Sequence, residues 1–266
     1  MSPINSKATS KVALFLLFIF TSCATRKGLF YYNTTASNLS GKIKSIDEKG
    51  FQAIYSNAGI ITGDRKRQFD FENDIKRSYD STGRLSYEVY TKSNDSVHLE
   101  MSYKYSMSDT IFQYRKYKQE DTFSLYSKKY FIEKYLITEF LEPFGYTTYF
   151  WKTKYNRKGK VKASYVYENN SQTREIQLTS KTFTKYHRKS VSETTYNPDK
   201  TIWSFSRRTS NTNNDDITMF ISFPKDDETK NYRYTYEYDR NKNWIKQIQY
   251  INDTVKFILV REIKCY

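Results

Sequence analysis

One short turn motif recurs along the chain and limits what it can fold into more than any other feature. Tyr followed by Asp or Asn occurs at Tyr79, Tyr155, Tyr196 and Tyr238. An apolar residue stands six positions after each of these, at Leu85, Val161, Ile202 and Trp244. Because Asp and Asn side chains bond backbone amides two residues further on, the motif predicts a tight turn that leads into a strand.

The fourth residue after each Tyr determines the backbone conformation that the turn can adopt. Gly83 and Gly159 stand there in the first two segments, and Gly reaches positive φ without steric cost. Lys200 and Lys242 stand there in the last two segments. We therefore expect the last two turns to differ in detail from the first two.

The segments between the turns predict strands, and hence an all-β fold. Apolar and polar residues alternate after each turn, and a second turn rich in Asn and Asp follows. Return strands are predicted at residues 97–103, 173–178, 217–223 and 255–263. Residues 128–145, KKYFIEKYLITEFLEPFG, fit a helical period only in part and are rich in β-forming residues. A short helix at 128–141 and a strand both remain open there.

The composition agrees with a partly exposed sheet. The 266 residues suffice for one domain, or at most two. Mean hydropathy is low, at −0.82, yet aromatic residues make up 18% of the chain, with 26 Tyr. Disordered chains are poor in aromatic residues, whereas Tyr suits a sheet face where the ring packs and the hydroxyl stays in water.

The N-terminus resembles the export signal of a bacterial lipoprotein. Lys7 and Lys11 precede a nine-residue apolar run, residues 12–20, which is too short to span a membrane and has the length of a signal-peptide core. Small residues and then Cys23 follow directly. We predict a signal peptide at residues 1–22 and lipidation of Cys23. The alternative is an ordinary signal peptide, cut after Ala24, with Cys23 discarded.

The residues after Cys23 divide the mature chain into a tether and one domain. Residues 23–40 are rich in Thr, Ser and Asn and predict a lipidated N-terminus and tether, while residues 41–266 carry the strand pattern. Lipoprotein sorting rules imply that Ala24 after the Cys gives no inner-membrane retention. The expected location is the outer membrane, facing the periplasm. Cys265 is left without a disulfide partner.

Three segments carry a resemblance to a known family. Residues 79–85, Tyr-Asp-Ser-Thr-Gly-Arg-Leu, match the YD-repeat motif of RHS-like proteins at each defined position. Residues 236–266 resemble the last unit of small secreted lipoproteins built from such repeats, and residues 41–59 resemble their first hairpin. The resemblance implies an antiparallel meander of hairpins that forms an open, curved, elongated sheet. Those lipoproteins mostly have no assigned activity.

No motif in the chain predicts catalysis, a metal or a cofactor. His98 and His187 are its two His residues, and both fall where a solvent-facing strand position is expected. No nucleophile elbow, phosphate loop, zinc motif or paired Cys site is present. We therefore predict a protein that is not an enzyme. A hydrolase with an unrecognised site is the third and weakest alternative.

Basic residues interleave with aromatic residues, which favours a binding role. Examples are YRKYK, WKTKYNRKGKVK, KYHRK and NYRYTYEY. The candidate binding residues are Trp151, Tyr155, Lys160, Trp203 and Trp244, although Trp244 also suits a core position. Behind an export signal, the expected partners are the membrane through the lipid anchor, an acidic glycan or lipid, or an envelope protein that pairs with an open sheet edge. Nucleic acid is not an expected partner. The alternative is that Lys only keeps the sheet soluble.

Overall fold

The computed structural model describes residues 39–57, 59–65, 74–107, 109–141, 147–170, 173 and 175–266. The signal peptide at 1–22, Cys23 and the tether up to residue 38 lie outside the described residues. None of the described residues belongs to a helix long and apolar enough to cross a membrane.

The described part of the chain forms strands throughout, as the alternation predicted. The strands are β1 (Ile43–Ser56), β2 (Gly59–Thr62), β3 (Asp74–Tyr79), β4 (Leu85–Thr91), β5 (Val97–Tyr105), β6 (Ile111–Tyr117), β7 (Ser124–Ile132), β8 (Tyr135–Phe140), β9 (Thr147–Tyr155), β10 (Val161–Asn170), β11 (Ile176–Tyr186), β12 (Ser190–Tyr196), β13 (Ile202–Ser210), β14 (Asp216–Phe223), β15 (Glu228–Tyr238), β16 (Trp244–Ile251) and β17 (Thr254–Cys265). The helix considered at 128–141 is wrong: these residues belong to β7, β8 and their turn, and Tyr130 pairs with Ile137 across that hairpin.

The sheet closes on itself, so the predicted open, curved, elongated sheet of YD repeats is wrong. From β3 to β17 each strand pairs antiparallel with the next. β1 pairs with β17 on one edge and with β3 on the other, which completes a sixteen-stranded barrel. β2 pairs with the far part of β1 as a side arm. Since wall strands are paired on both edges, the partner-strand route through an open edge is also wrong for them.

Closure also explains why the turn motif does not mark a repeat unit. The end of the barrel at which β1 begins is called the N-terminal rim, and the other end is called the opposite rim. Because neighbouring strands are antiparallel, successive strands end at alternate rims. Tyr79, Tyr155 and Tyr238 end strands at the N-terminal rim. Tyr196 ends β12, an odd number of strands after β9, and lies at the opposite rim. The four segments therefore share turn chemistry but do not stack as copies of one unit.

The turn chemistry itself is present. Asp80 Oδ1 accepts backbone N–H groups of Thr82 and Arg84 at 2.9 Å each, and Asp80 N–H donates to Arg84 O at 2.8 Å. Asn156, Asn211 and Asp239 make the same pair of side-chain bonds in their own turns. The Lys-containing turns were expected to differ in detail, and the side-chain bonds of the Lys200 turn do: Asp199 Oδ1 accepts the N–H of Thr201 at 2.9 Å, and Asn197 Nδ2 donates to Thr201 Oγ1 at 3.0 Å. The backbone conformation of the Lys-containing turns does not differ. Lys200 has φ of 70° and Lys242 of 64°, the left-handed conformation that Gly83 adopts at 81°.

Burial identifies the inner face of the barrel. Along β15, Tyr232, Tyr234 and Tyr236 are buried or half-buried, while the alternating Asn231 and Arg233 are exposed. A closed sheet encloses one face, so the face that buries its side chains is the inner one. Tyr therefore packs inside this part of the wall, and polar residues point outward.

Candidate functional site

Charged side chains form a paired row on the inner face near the closing strands. Arg261 Nε of β17 donates to Glu48 Oε2 of β1 at 2.7 Å, and the Arg261 guanidinium lies 3.3 Å from the centre of the Trp244 ring. Next to this pair, Arg77 Nε donates to Glu88 Oε1 at 3.0 Å. Burial lowers the pKa of Arg261, while Glu48 acts to raise it. The pairing neutralises charges that would otherwise be costly inside the barrel.

Hydrogen bonds extend this row across the next strands. Tyr103 Oη donates to Glu88 Oε2 at 2.5 Å, Gln113 Nε2 donates to Tyr103 Oη at 3.1 Å, and Ser127 Oγ donates to Gln113 Oε1 at 2.8 Å. Burial and the Glu88 charge raise the pKa of Tyr103, which keeps its hydroxyl protonated as a donor. Burial lowers the pKa of Lys129 on the same face. The hydrogen bonds from Arg77 through Glu88, Tyr103 and Gln113 to Ser127 make this row a polar core.

The outer face carries cations that lie over aromatic rings. The register of the paired strands shows that five lysines around the wall point outward: Lys76, Lys116, Lys128, Lys152 and Lys181. The Nζ atom of Lys152 lies 4.3 Å from the Tyr135 ring centre, and that of Lys181 lies 4.6 Å from the Phe183 ring centre. Each ring offers its negative face to the cation, and together they form a surface suited to anionic or ring-shaped ligands.

A cleft on this outer face, across β13 to β15, brings cationic and aromatic side chains together. It encloses about 420 Å³. Its outward-facing lining residues are Arg207, Thr209, Thr218, Phe220, Asn231 and Arg233, with Asp253 at one end. Arg207 pairs directly with Phe220, and Thr218 with Arg233. The Arg233 guanidinium lies over the Tyr250 ring, 3.5 Å from the ring centre.

The five residues proposed from sequence do not meet at one place. Trp151 is 47% exposed on the inner face of β9, edge-on to Phe140 at 5.1 Å. Trp203, at 51% exposed, lies at an irregularity in the pairing of β12 with β13, with its ring centre 6.0 Å from that of Phe223. Lys160 is exposed in the β9–β10 turn.

The other two nominated residues have packing roles. Tyr155 packs against the cluster formed by Ile111 and Leu136. Trp244 is buried beneath Arg261, as its apolar position in the turn motif suggested. Tyr155 and Trp244 therefore contribute to packing, and a binding role for any of the five residues stays a prediction.

The sequence did not identify Arg207 and Arg233 as candidate binding residues. Arg233 sits in NYRYTYEY, where Tyr at every second position marks the buried face and places Arg233 outward. Arg207 had no such local signal, since it reaches the cleft through pairing of β13 with β14 and of β14 with β15. Within the described residues, no group of three or more His, Cys, Asp and Glu could hold a metal ion.

Comparison with known proteins gives no family. No protein-family model matches the chain, and no curated protein matches it in sequence. A porin-like protein from Bacteroides uniformis is 12% identical over 85% of this chain and 98% of its own, with a TM-score of 0.47. A porin-like protein from Bacteroides vulgatus and a presumed lipoprotein from Parabacteroides distasonis are each 11% identical. They match 83% and 87% of this chain and 98% and 99% of their own, each with a TM-score of 0.24. These values assign neither a ligand nor an activity to this chain.

Proposed function

We propose that this protein is a lipid-anchored binding protein of the bacterial cell envelope, without catalytic activity. The anchor rests on the apolar run at residues 12–20 and on Cys23 directly after its small residues. Acyl chains contribute about 0.8 kcal/mol per buried methylene, so more than one chain on Cys23 would hold the protein stably at a membrane.

The charged outer face supports a barrel that stands in water beside the membrane. A Lys or Arg on the lipid-facing side of a barrel costs about 2–4 kcal/mol at the bilayer midplane. The five outward lysines from Lys76 to Lys181 would together cost roughly 10–20 kcal/mol on that scale. The alternation along β15, with Tyr inside and Asn, Arg and Thr outside, is likewise the reverse of a lipid-facing strand.

The single observation that carries the binding role is the cleft between Arg207 and Arg233. Its volume of about 420 Å³ falls within the usual range for small-ligand sites. Two guanidinium groups favour a carboxylate or sulfate, since each presents several donors in a plane. Phe220 supplies an aromatic ring, and Thr209 supplies a hydroxyl. An acidic oligosaccharide, with its ring, hydroxyl groups and anionic group, combines the features that this surface would bind.

The test is binding of oligogalacturonate to the purified full chain, measured by calorimetry at low salt. Arg207→Gln together with Arg233→Gln is expected to weaken binding at least tenfold. Lys152→Gln removes a cation over an aromatic ring elsewhere on the outer face and is the matched control, expected to bind like the wild type. Equal loss in the control, or equal binding of a neutral oligosaccharide, would contradict the cleft assignment.

Two further measurements test the rest of the proposal. The oligosaccharide should be recovered intact after long incubation, and new reducing ends would overturn the non-catalytic role. Membrane fractionation of the wild type beside Cys23→Ser should show loss of the protein from the membrane fraction. A variant that stays in that fraction at high salt would overturn the lipid anchor.

A further inference from the structure

The two rims of the barrel carry opposite charge. The connections at the N-terminal rim are residues 39–42, 80–84, 106–110, 133–134, 156–160, 187–189, 211–215 and 239–243. Their described residues include ten Lys and Arg against five Asp and Glu, a net charge of +5. The described connections of the opposite rim include five Lys and Arg against nine Asp and Glu, a net charge of −4. The barrel is therefore an electric dipole along its axis.

The N-terminal segment enters the barrel at the basic end. Ser40 N–H donates to Asn243 Oδ1 at 2.6 Å, and Asn243 Nδ2 donates to Ser40 O at 3.1 Å. Asn243 is 2% exposed, and Leu39 packs against the cluster of Ile43, Ile46 and Tyr79. These contacts hold residues 39 and 40 at the N-terminal rim. Fifteen residues separate Leu39 from Cys23, a length that spans at most about 50 Å.

The basic charge is densest across the rim from this entry point. The β9–β10 turn carries Arg157, Lys158 and Lys160, and the adjacent β11–β12 turn carries Arg188 and Lys189. Lys160 Nζ lies 4.9 Å from the Tyr186 ring centre and thereby links the two hairpins. None of these five cations forms an ion pair within the part of the chain that the structure describes. We name these five residues the basic knuckle.

We propose that the N-terminal rim docks on an anionic phospholipid surface, with the basic knuckle contacting lipid phosphates. The inference rests on the proposed lipid anchor and adds the orientation of the barrel to it. β1 and the β9–β12 turns lie on opposite sides of the barrel, so the tether and the knuckle give two separated points of attachment. The acidic opposite rim is repelled by the same surface, which favours an upright barrel.

Lipid is favoured over glycan as the occupant of this rim for geometric reasons. The cations stand at turn tips, on a ring that can meet a flat surface all at once, whereas the cleft between Arg207 and Arg233 is concave. Anionic lipid surfaces attract clustered Lys and Arg near a membrane anchor, each by roughly a fivefold factor in binding at moderate salt. Two weak signals, acyl chains and a basic patch, also act together on one surface.

The experiment measures co-flotation of the full chain carrying Cys23→Ser with vesicles, so that acylation does not contribute. Vesicles contain either phosphatidylcholine alone or phosphatidylcholine with phosphatidylglycerol. The test variant adds Arg157→Gln, Lys158→Gln, Arg188→Gln and Lys189→Gln. The control variant instead adds Lys92→Gln, Lys118→Gln, Lys200→Gln and Lys225→Gln at the opposite rim, and so removes the same charge. Circular dichroism checks that both variants fold, and Arg188→Gln with Lys189→Gln serves as a milder replacement.

We expect binding that depends on phosphatidylglycerol, weakens at high salt, and falls at least tenfold in the test variant but less than twofold in the control. Equal losses in the two variants, or binding without dependence on phosphatidylglycerol, would overturn the proposal. So would soluble oligogalacturonate that binds the knuckle as tightly as the vesicles do, since the rim would then be a general polyanion site. Failure here leaves the Cys23 fractionation result intact, because that experiment does not involve the knuckle.

Discussion

The buried pair Glu48–Arg261 ties the first strand to the last, and its loss should loosen the barrel. Glu48 is 5% exposed, and the two residues are 213 positions apart. Arg77 lies close enough to interact with both charges. Glu48→Gln therefore leaves two buried guanidinium groups facing one another with less opposing charge. Breaking a buried pair in this way costs about 3–5 kcal/mol.

That loss would be a large part of the stability of an ordinary domain, which is about 5–15 kcal/mol. We expect a lower urea midpoint for Glu48→Gln, by about 1–2 M for a typical denaturant slope. The matched control is Glu237→Gln, which breaks an ion pair with Lys246 on the outer face. Glu237 is 60% exposed, so its loss should cost about 0–1 kcal/mol.

A double variant separates the energy of the Glu48–Arg261 interaction from the effect of each side chain on its other neighbours. Adding Arg261→Gln to Glu48→Gln removes the guanidinium group that lost its partner, so the double variant should lose less than the sum of the single changes. The reasoning is refuted if Glu48→Gln costs no more than Glu237→Gln, or if the two single effects simply add. Either result would mean that water or other neighbours already screen this pair.

Three smaller predictions concern turns and the polar core, each measured by urea unfolding. Lys242→Gly should stabilise by about 0.5–1 kcal/mol, since its φ of 64° is strained for Lys, whereas Lys225→Gly, at a position whose φ is not positive, should destabilise. Asp80→Ala should cost about 1 kcal/mol at neutral pH. Burial acts to raise the pKa of Asp80, but bonds from Thr82 and Arg84 lower it overall, so this stabilisation is present above the ordinary value of 3.8 and is lost as pH falls through the depressed pKa. An unchanged difference at low pH would argue against this cause. Ser127→Ala leaves the amide oxygen of Gln113 without a buried donor and should cost about 1–3 kcal/mol, and no effect would imply that water replaces it.

Local chemistry could be predicted from the sequence because it depends on neighbouring residues. Alternation identified the strands, and the Asp80 and Asp239 turns follow from side chains that bond amides close by. The alternation along β15 also predicts that Arg233 points outward, and Arg233 is one of the two arginines that line the cleft. Lys242 led to the prediction that its turn differs from the Gly-containing turns. The turn instead holds Lys242 at the positive φ that Gly adopts elsewhere.

Closure could not be predicted, because it depends on which distant strands pair. Nothing near β1 in sequence indicates that it pairs with both β3 and β17. Tyr196 matched the turn motif as well as Tyr155 did, and only a count of the strands between them separates the two rims. Arg207 lies near Arg233 because β13 pairs with β14 and β14 pairs with β15. The net charge of each rim can be counted only after every connection has been assigned to one end of the barrel.

The seam between β1 and β17 makes closure of the barrel depend on β17, the last of its strands in chain order. Until β17 arrives, β1 and β16 each present an edge of unpaired backbone groups, and such edges recruit other chains or proteases. A barrel without β17 would therefore lose more than one strand, since the ring would stay open and both β1 and β16 would keep an unpaired edge.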